Sequence, residues 1–134
     1  MIDGTVAFTD VNTYLVNNVL KLKWTHCLIW LDNGWFEATW PRVTRSKTYR
    51  HKKEVIIAPQ VGLRYHDMLR VANENLGRRY SAQGYFHPEL YGQTKGIYCS
   101  QYVAMILVAG GARVTLDSGR DPDRLYTALT GTKP

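Results

Sequence analysis

The tripeptide Asp32-Asn33-Gly34, set between two apolar β-rich runs at residues 24–31 and 35–40, constrains the fold of this chain more than any other feature. Asn-Gly between such runs is a strong short-range signal for a β-hairpin, because a tight turn there matches the twist of the flanking strands. A hairpin commits this part of the chain to antiparallel pairing. The remaining segments must cover its apolar surface.

Those segments supply both strands and helices. Residues 4–8 read as a first strand, and residues 12–22 carry apolar side chains at helical spacing. A short strand over 54–58 ends at Pro59, and residues 63–76 form an amphipathic helix with Gly77 at its C-cap. Residues 78–96 are a long polar and aromatic loop, a length that points to function in a small domain. Residues 100–109 are nearly all apolar after the first turn, which predicts a buried central helix closed by Gly110-Gly111. A last strand is expected over 113–116, then a short helix over 124–129 with Asp121 as N-cap and Pro122 at its first position. The order is that of an α+β domain with an antiparallel sheet. At 134 residues and 45% hydrophobic, the chain reads as one domain, 1–134, able to bury a core without disulfides or a structural metal.

The longest weakly polar run, residues 102–112, is too short for a bilayer, which takes about 20 residues, so no transmembrane segment is expected. Met1-Ile2-Asp3-Gly4 offers neither a basic nor an apolar leader region, so no signal peptide is expected. The net charge of +6 is local: Arg42, Arg45, Lys47, Arg50, Lys52 and Lys53 fall within twelve residues that contain no acid. Such a strip suits nucleic acid, anionic lipid or an acidic cell-wall polymer, or is simply a solvated strand or loop.

Cys27 and Cys99 are the only cysteines and neither sits in a CxxC pair, so both read as free thiols of a reducing compartment, with no metal or cofactor implied. Cys99 precedes the buried helix. Free N–H groups and partial positive charge at a helix start favour thiolate over thiol and can hold an oxyanion. Position alone fits either a nucleophile or a small buried apolar residue. His26, on the first hairpin strand, is the natural proton acceptor, unless it is a satisfied core histidine. His51 in the basic strip, His66 on the amphipathic helix and His87 before a proline are poorer partners. Cys27 points to the face opposite His26, since strand neighbours alternate, and reads as core packing.

These residues carry a resemblance. The stretch from Thr25-His26-Cys27 through Asp32-Asn33-Gly34 to Glu37-Ala38 is similar to the His-bearing hairpin of the circularly permuted NlpC-type papain-like hydrolases. Tyr98-Cys99-Ser100-Gln101-Tyr102-Val103 resembles the start of their catalytic helix, with Gln101 where Glu is common. Gly4-Thr5-Val6, Gly77-Arg78-Arg79-Tyr80 and Pro122-Asp123 resemble further elements of that frame, in the YiiX-like and lecithin retinol acyltransferase-like group. The resemblance implies a permuted papain-like fold, with the antiparallel sheet packed against the Cys-bearing helix. It implies Cys99 as nucleophile, His26 as general base and then acid, Glu37 as the residue orienting the imidazole, and Tyr80 as a hydroxyl near the oxyanion.

Turn geometry decides whether Glu37 can serve. With Asn33-Gly34 as the turn, Glu37 lies opposite Trp30, about 13 Å along the strand from His26. With Asp32-Asn33 as the turn, it lies opposite Leu28, diagonal to His26 and within reach. A three-residue loop puts it on the other face. Thr39 or a backbone carbonyl is the alternative partner. The expected activity is hydrolysis of an amide, foremost a peptidoglycan peptide bond, through a thioester acyl-enzyme. Lipid amide or ester hydrolysis and acyl transfer lie within the same resemblance, and a phage-encoded or cytoplasmic protein is expected. A non-catalytic phage structural or binding module is the competing class. Nucleic acid is not expected as a partner, because binding it would leave the His-hairpin and the Cys-helix unexplained.

Overall fold

The computed structural model describes residues 1–10, 22–49 and 53–134. Five strands, β1 (Thr5–Thr9), β2 (His26–Leu31), β3 (Gly34–Ala38), β4 (Val43–Ser46) and β5 (Glu54–Ile57), form one sheet in the order β4-β3-β2-β1-β5. Every neighbouring pair is antiparallel. Among the described residues the helices are α1 (Tyr65–Glu74), α2 (Gln83–Phe86), α3 (Cys99–Ala109) and α4 (Pro122–Thr130). The domain is therefore α+β, with an antiparallel sheet. The helix expected over 12–22 lies outside the described residues, apart from Leu22, as do Arg50, His51 and Lys52 of the basic strip.

The core lies between one face of the sheet and α3. Phe8, Cys27, Ile29, Leu31 and Phe36 meet Tyr102, Val103, Ile106 and Leu107 there. Each large apolar side chain removed from water at this interface contributes about 1.5–3 kcal/mol. Tyr102 brings a hydroxyl into this core and satisfies it on the Ala72 carbonyl of α1 at 2.7 Å. Helix α1 turns only Met68 and Ala72 fully inward and leaves its charged residues outside, as its periodicity requires. Ala7, Leu28 and Trp35 form a second apolar cluster on the other face of the sheet.

Two segments differ from the sequence reading. Residues 113–116 form no strand: Arg113 gives its N–H to the Gln60 side chain at 2.6 Å, and Thr115 caps a 3₁₀ turn over Leu116–Arg120. The β-branched Val114 and Thr115 imitate a strand, but the Thr115 hydroxyl finds a closer partner in the Ser118 N–H. The long loop over 78–96 is more ordered than its composition suggests. It holds α2 and a 3₁₀ turn at Pro88–Leu90, and its start pairs with Arg42 on one side and Ile97 on the other. Among the described residues no helix is long and apolar enough to cross a membrane.

Candidate active site

The hairpin turn is made by Asp32 and Asn33, with φ of 50° and 57°. Leu31 pairs with Gly34 and Ile29 with Phe36, so the next step of the ladder sets Glu37 opposite Leu28. That is the diagonal geometry of the three left open. Glu37 Oε2 lies 2.6 Å from His26 Nε2. Glu37, not Thr39, therefore holds the far nitrogen of the imidazole. Gly34 lies just beyond the turn. A Cβ on it would meet the Arg45 guanidinium at 2.7 Å, and that guanidinium donates to the Asp32 carbonyl and closes the turn.

Two tethers bring the starts of β2 and α3 together. Ahead of β2, the N–H groups of Lys23 and Trp24 both donate to the Asp123 carboxylate of α4 at 2.9 Å. At α3, the Tyr98 hydroxyl donates to the Arg120 carbonyl and the Ser100 hydroxyl to the Gly119 carbonyl, each at 2.8 Å. Gln101 accepts the Tyr98 N–H at 3.4 Å and so caps the helix. The Cys99 sulfur then sits 4.0 Å from the Thr25 carbonyl oxygen, just ahead of β2. Cys99 and His26 lie close enough that each shifts the other's proton affinity.

Both partners are almost fully buried, at 6% and 7% exposure for Cys99 and His26. Burial works against an imidazolium at His26, but Cys99 and Glu37 outweigh it and raise the pKa to about 9. Cys99 is held well below the usual thiol range. The influence of Cys27 leads the effect and that of His26 adds to it, against the opposing cost of burial. The two residues favour a thiolate–imidazolium pair.

Cys99 opens into a cavity of about 130 Å³, lined among others by Thr25, Tyr80, Ala82, Tyr85 and Phe86. Tyr80 reaches it because the 79–81 backbone is stitched to Ile97, with Ser81 N–H on the Ile97 carbonyl at 2.9 Å and Ile97 N–H on the Arg79 carbonyl at 3.0 Å. Gly96 permits that approach, since a Cβ there would lie 2.8 Å from the Arg79 oxygen and 2.6 Å from the Ser81 Cβ. Burial, and then the charge of Cys99, push the Tyr80 phenol up to about 12, so it keeps its proton as a donor. A larger and shallower hollow of about 640 Å³ runs along α4 and contains neither Cys99 nor His26.

The remaining candidates stand apart. His66 and His87 are exposed, and His87 lies 3.7 Å from Glu89. Among the described residues no three His, Cys, Asp or Glu side chains are grouped to hold a metal ion. Cys27 is fully buried on the face opposite His26, as alternation requires, and burial, followed by the influence of Cys99, pushes its thiol well up. It packs in the core between the sheet and α3, as the sequence reading expects. The sequence signal for Asp123 was only its resemblance as part of Pro122-Asp123; nothing marked it as the tether of β2. No family model, curated protein or solved structure matches the chain.

Proposed function

We propose that the chain is a cysteine hydrolase of the permuted papain-like, NlpC-type class, which cleaves an amide through a thioester acyl-enzyme. The observation that carries the reading is the grouping of Cys99, His26 and Glu37, with the sulfur opening into a cavity and Glu37 2.6 Å from His26 Nε2. This is the nucleophile–base–orienter arrangement of thiol hydrolases. The antiparallel sheet covered by the Cys-bearing α3 is compatible with that fold.

The Cys99 thiolate attacks the carbonyl carbon and forms the C–S bond. The developing oxyanion is met by the Cys99 backbone N–H at the start of α3 and by the Tyr80 hydroxyl. The His26 imidazolium gives its proton to the leaving nitrogen as the C–N bond breaks. Neutral His26 then takes a proton from water, the hydroxide adds to the thioester, and the thiolate leaves. Glu37 keeps Nε2–H oriented and supports the cation throughout.

The mostly aromatic and aliphatic lining, with no Asp, Glu, Lys or Arg among the described lining residues, favours an uncharged acyl group beside Cys99. A peptidoglycan peptide bond with a neutral acyl residue meets that condition, and so does an amide or ester of an apolar acid. The test is to incubate wild-type and Cys99→Ala protein with peptidoglycan and with matched panels of neutral and anionic acyl amides and esters. Release of amine or alcohol by wild-type protein alone, faster from neutral substrates, is the expected result. Labelling of Cys99 by no electrophile, with no turnover of any panel, leaves the binding-module reading in its place.

A further inference from the structure

Cys99 and Gln101 stand two positions apart on α3, about 200° around the helix, and line separate cavities. Cys99 opens into the cavity described above. Gln101 lines a second hollow of about 500 Å³, together with Arg78, Tyr91, Met105, Leu116 and Asp117. That volume lies in the range of small-molecule sites. The hollow takes no part in the mechanism above. We propose that it binds a small carboxylate with an apolar body, whose head is held by Gln101 and Arg78.

Gln101 is the polar group at the centre of the argument. It is only 6% exposed. Its Oε1 accepts the Tyr98 N–H at 3.4 Å, which fixes the amide's orientation and leaves Nε2 as the free donor. Among the described residues nothing accepts from Nε2. An enclosed amide donor without an acceptor gains from any acceptor brought into the hollow. Arg78 supplies the charge. Its Nε donates to the Lys95 carbonyl at 2.7 Å and its Nη1 to Asn75 Oδ1 at 2.9 Å, with Nη2 3.4 Å from the Thr94 carbonyl. These acceptors are neutral, so the guanidinium is held in place and its charge stays uncompensated. The one acid among the described lining residues, Asp117, is already matched by Arg120 and by Arg124 Nη1 at 3.8 Å.

The rest of the wall is apolar: Met105 from α3, the Tyr91 ring and the exposed Leu116. It is set before any ligand arrives. The Tyr91 hydroxyl donates to the Leu116 carbonyl at 2.5 Å, and the Arg120 guanidinium lies over the Tyr91 ring, 4.6 Å from its centre. A wall fixed in this way costs little to order on binding. A carboxylate offers oxygens to both the Gln101 amide and the Arg78 guanidinium, and an apolar body behind it covers Met105 and Leu116.

This inference stands apart from the hydrolase reading, since neither Cys99 nor His26 lines the hollow. The test uses the full chain with carbon-13 in the methionine methyl groups. Met1, Met68 and Met105 give three resonances; Met68 is buried in the core, and Met105 alone lines the hollow. The probes are hexanoate, acetate and hexanamide. Hexanoate should shift the Met105 signal saturably, with a dissociation constant of about 1 mM or below, and leave Met68 in place. Acetate lacks the body and hexanamide the charge, and each should bind at least about tenfold more weakly. Gln101→Glu keeps the oxygen that caps Tyr98 but removes the donor, and hexanoate should weaken by at least about tenfold. Thermal melting accompanies the titration. If that variant does not melt cooperatively, Leu116→Ser at the exposed rim takes its place and should weaken hexanoate while leaving acetate unchanged. A Met105 signal that does not move at about ten times the expected constant overturns the proposal. Equal binding of hexanoate and hexanamide, or full affinity in Gln101→Glu, overturns it as well.

Discussion

Two parts of the molecule hold positive charge in opposite ways. At residues 42–47, Arg42 donates to the Gly77 carbonyl at 3.0 Å and Arg45 to the Asp32 carbonyl, while Lys47 is exposed. These arginines fasten the hairpin turn and the end of α1, and water screens whatever charge remains. At the start of β2, His26 is buried with Glu37 on its Nε2 and Cys99 close by, and these partners raise its pKa to about 9 against the cost of burial. A cation there is sustained by its partners alone, so its proton is set by them. The strip contributes charge to the surface and hydrogen bonds to the fold. The β2–α3 corner contributes a poised proton. Where a cation is placed decides whether it acts as a fastener or as an acid.

The contrast can be broken at its strongest point by His26→Ala. Loss of the acid and base should lower hydrolysis by about 10³-fold or more, measured as turnover of whichever substrate the panel identifies. Glu37→Gln keeps a hydrogen-bonding side chain but removes the charge. It should lower the His26 midpoint and slow Cys99 alkylation at neutral pH by about tenfold. Linkage gives a sign that can be checked. His26 is raised from about 6.5 to about 9, so its contribution to stability is complete below about 6.5 and is lost as the pH rises through about 9. The melting difference between wild type and His26→Ala should therefore narrow from pH 6 to pH 10. At the strip the effects are smaller and of another kind. Arg45→Ala should cost on the order of 1 kcal/mol through the lost bond to Asp32, read by denaturant melting, with alkylation of Cys99 unchanged. Lys47→Ala should move stability by less than about 0.5 kcal/mol and leave the site untouched.

The sequence carried the hairpin, the buried helix and the α4 cap because each is written in local chemistry. Asp121 accepts the Arg124 N–H at 2.8 Å and Pro122 begins α4, as their types and spacing require. The partner of His26 was not legible to the same degree. Three turn geometries fit Asp32-Asn33-Gly34, and the choice depends on Arg45, thirteen residues beyond Asp32, closing over the turn. The strand expected at 113–116 failed for a related reason, since β-propensity cannot show whether a sheet edge is near or a hydroxyl has a nearer N–H. The tether from Asp123 to residues 23–24 joins positions 99 and 100 residues apart, and no local pattern encodes it.

The central claim, that the site rests as a thiolate beside an imidazolium, is tested most directly by following the His26 ring by nuclear magnetic resonance across pH, in wild type and in Cys99→Ala. The account predicts a ring protonated at both nitrogens through the neutral range, with a midpoint near pH 9 that falls when Cys99 is removed. A ring that is neutral at pH 7.5, with a midpoint near 6.5 that Cys99→Ala does not move, would contradict it.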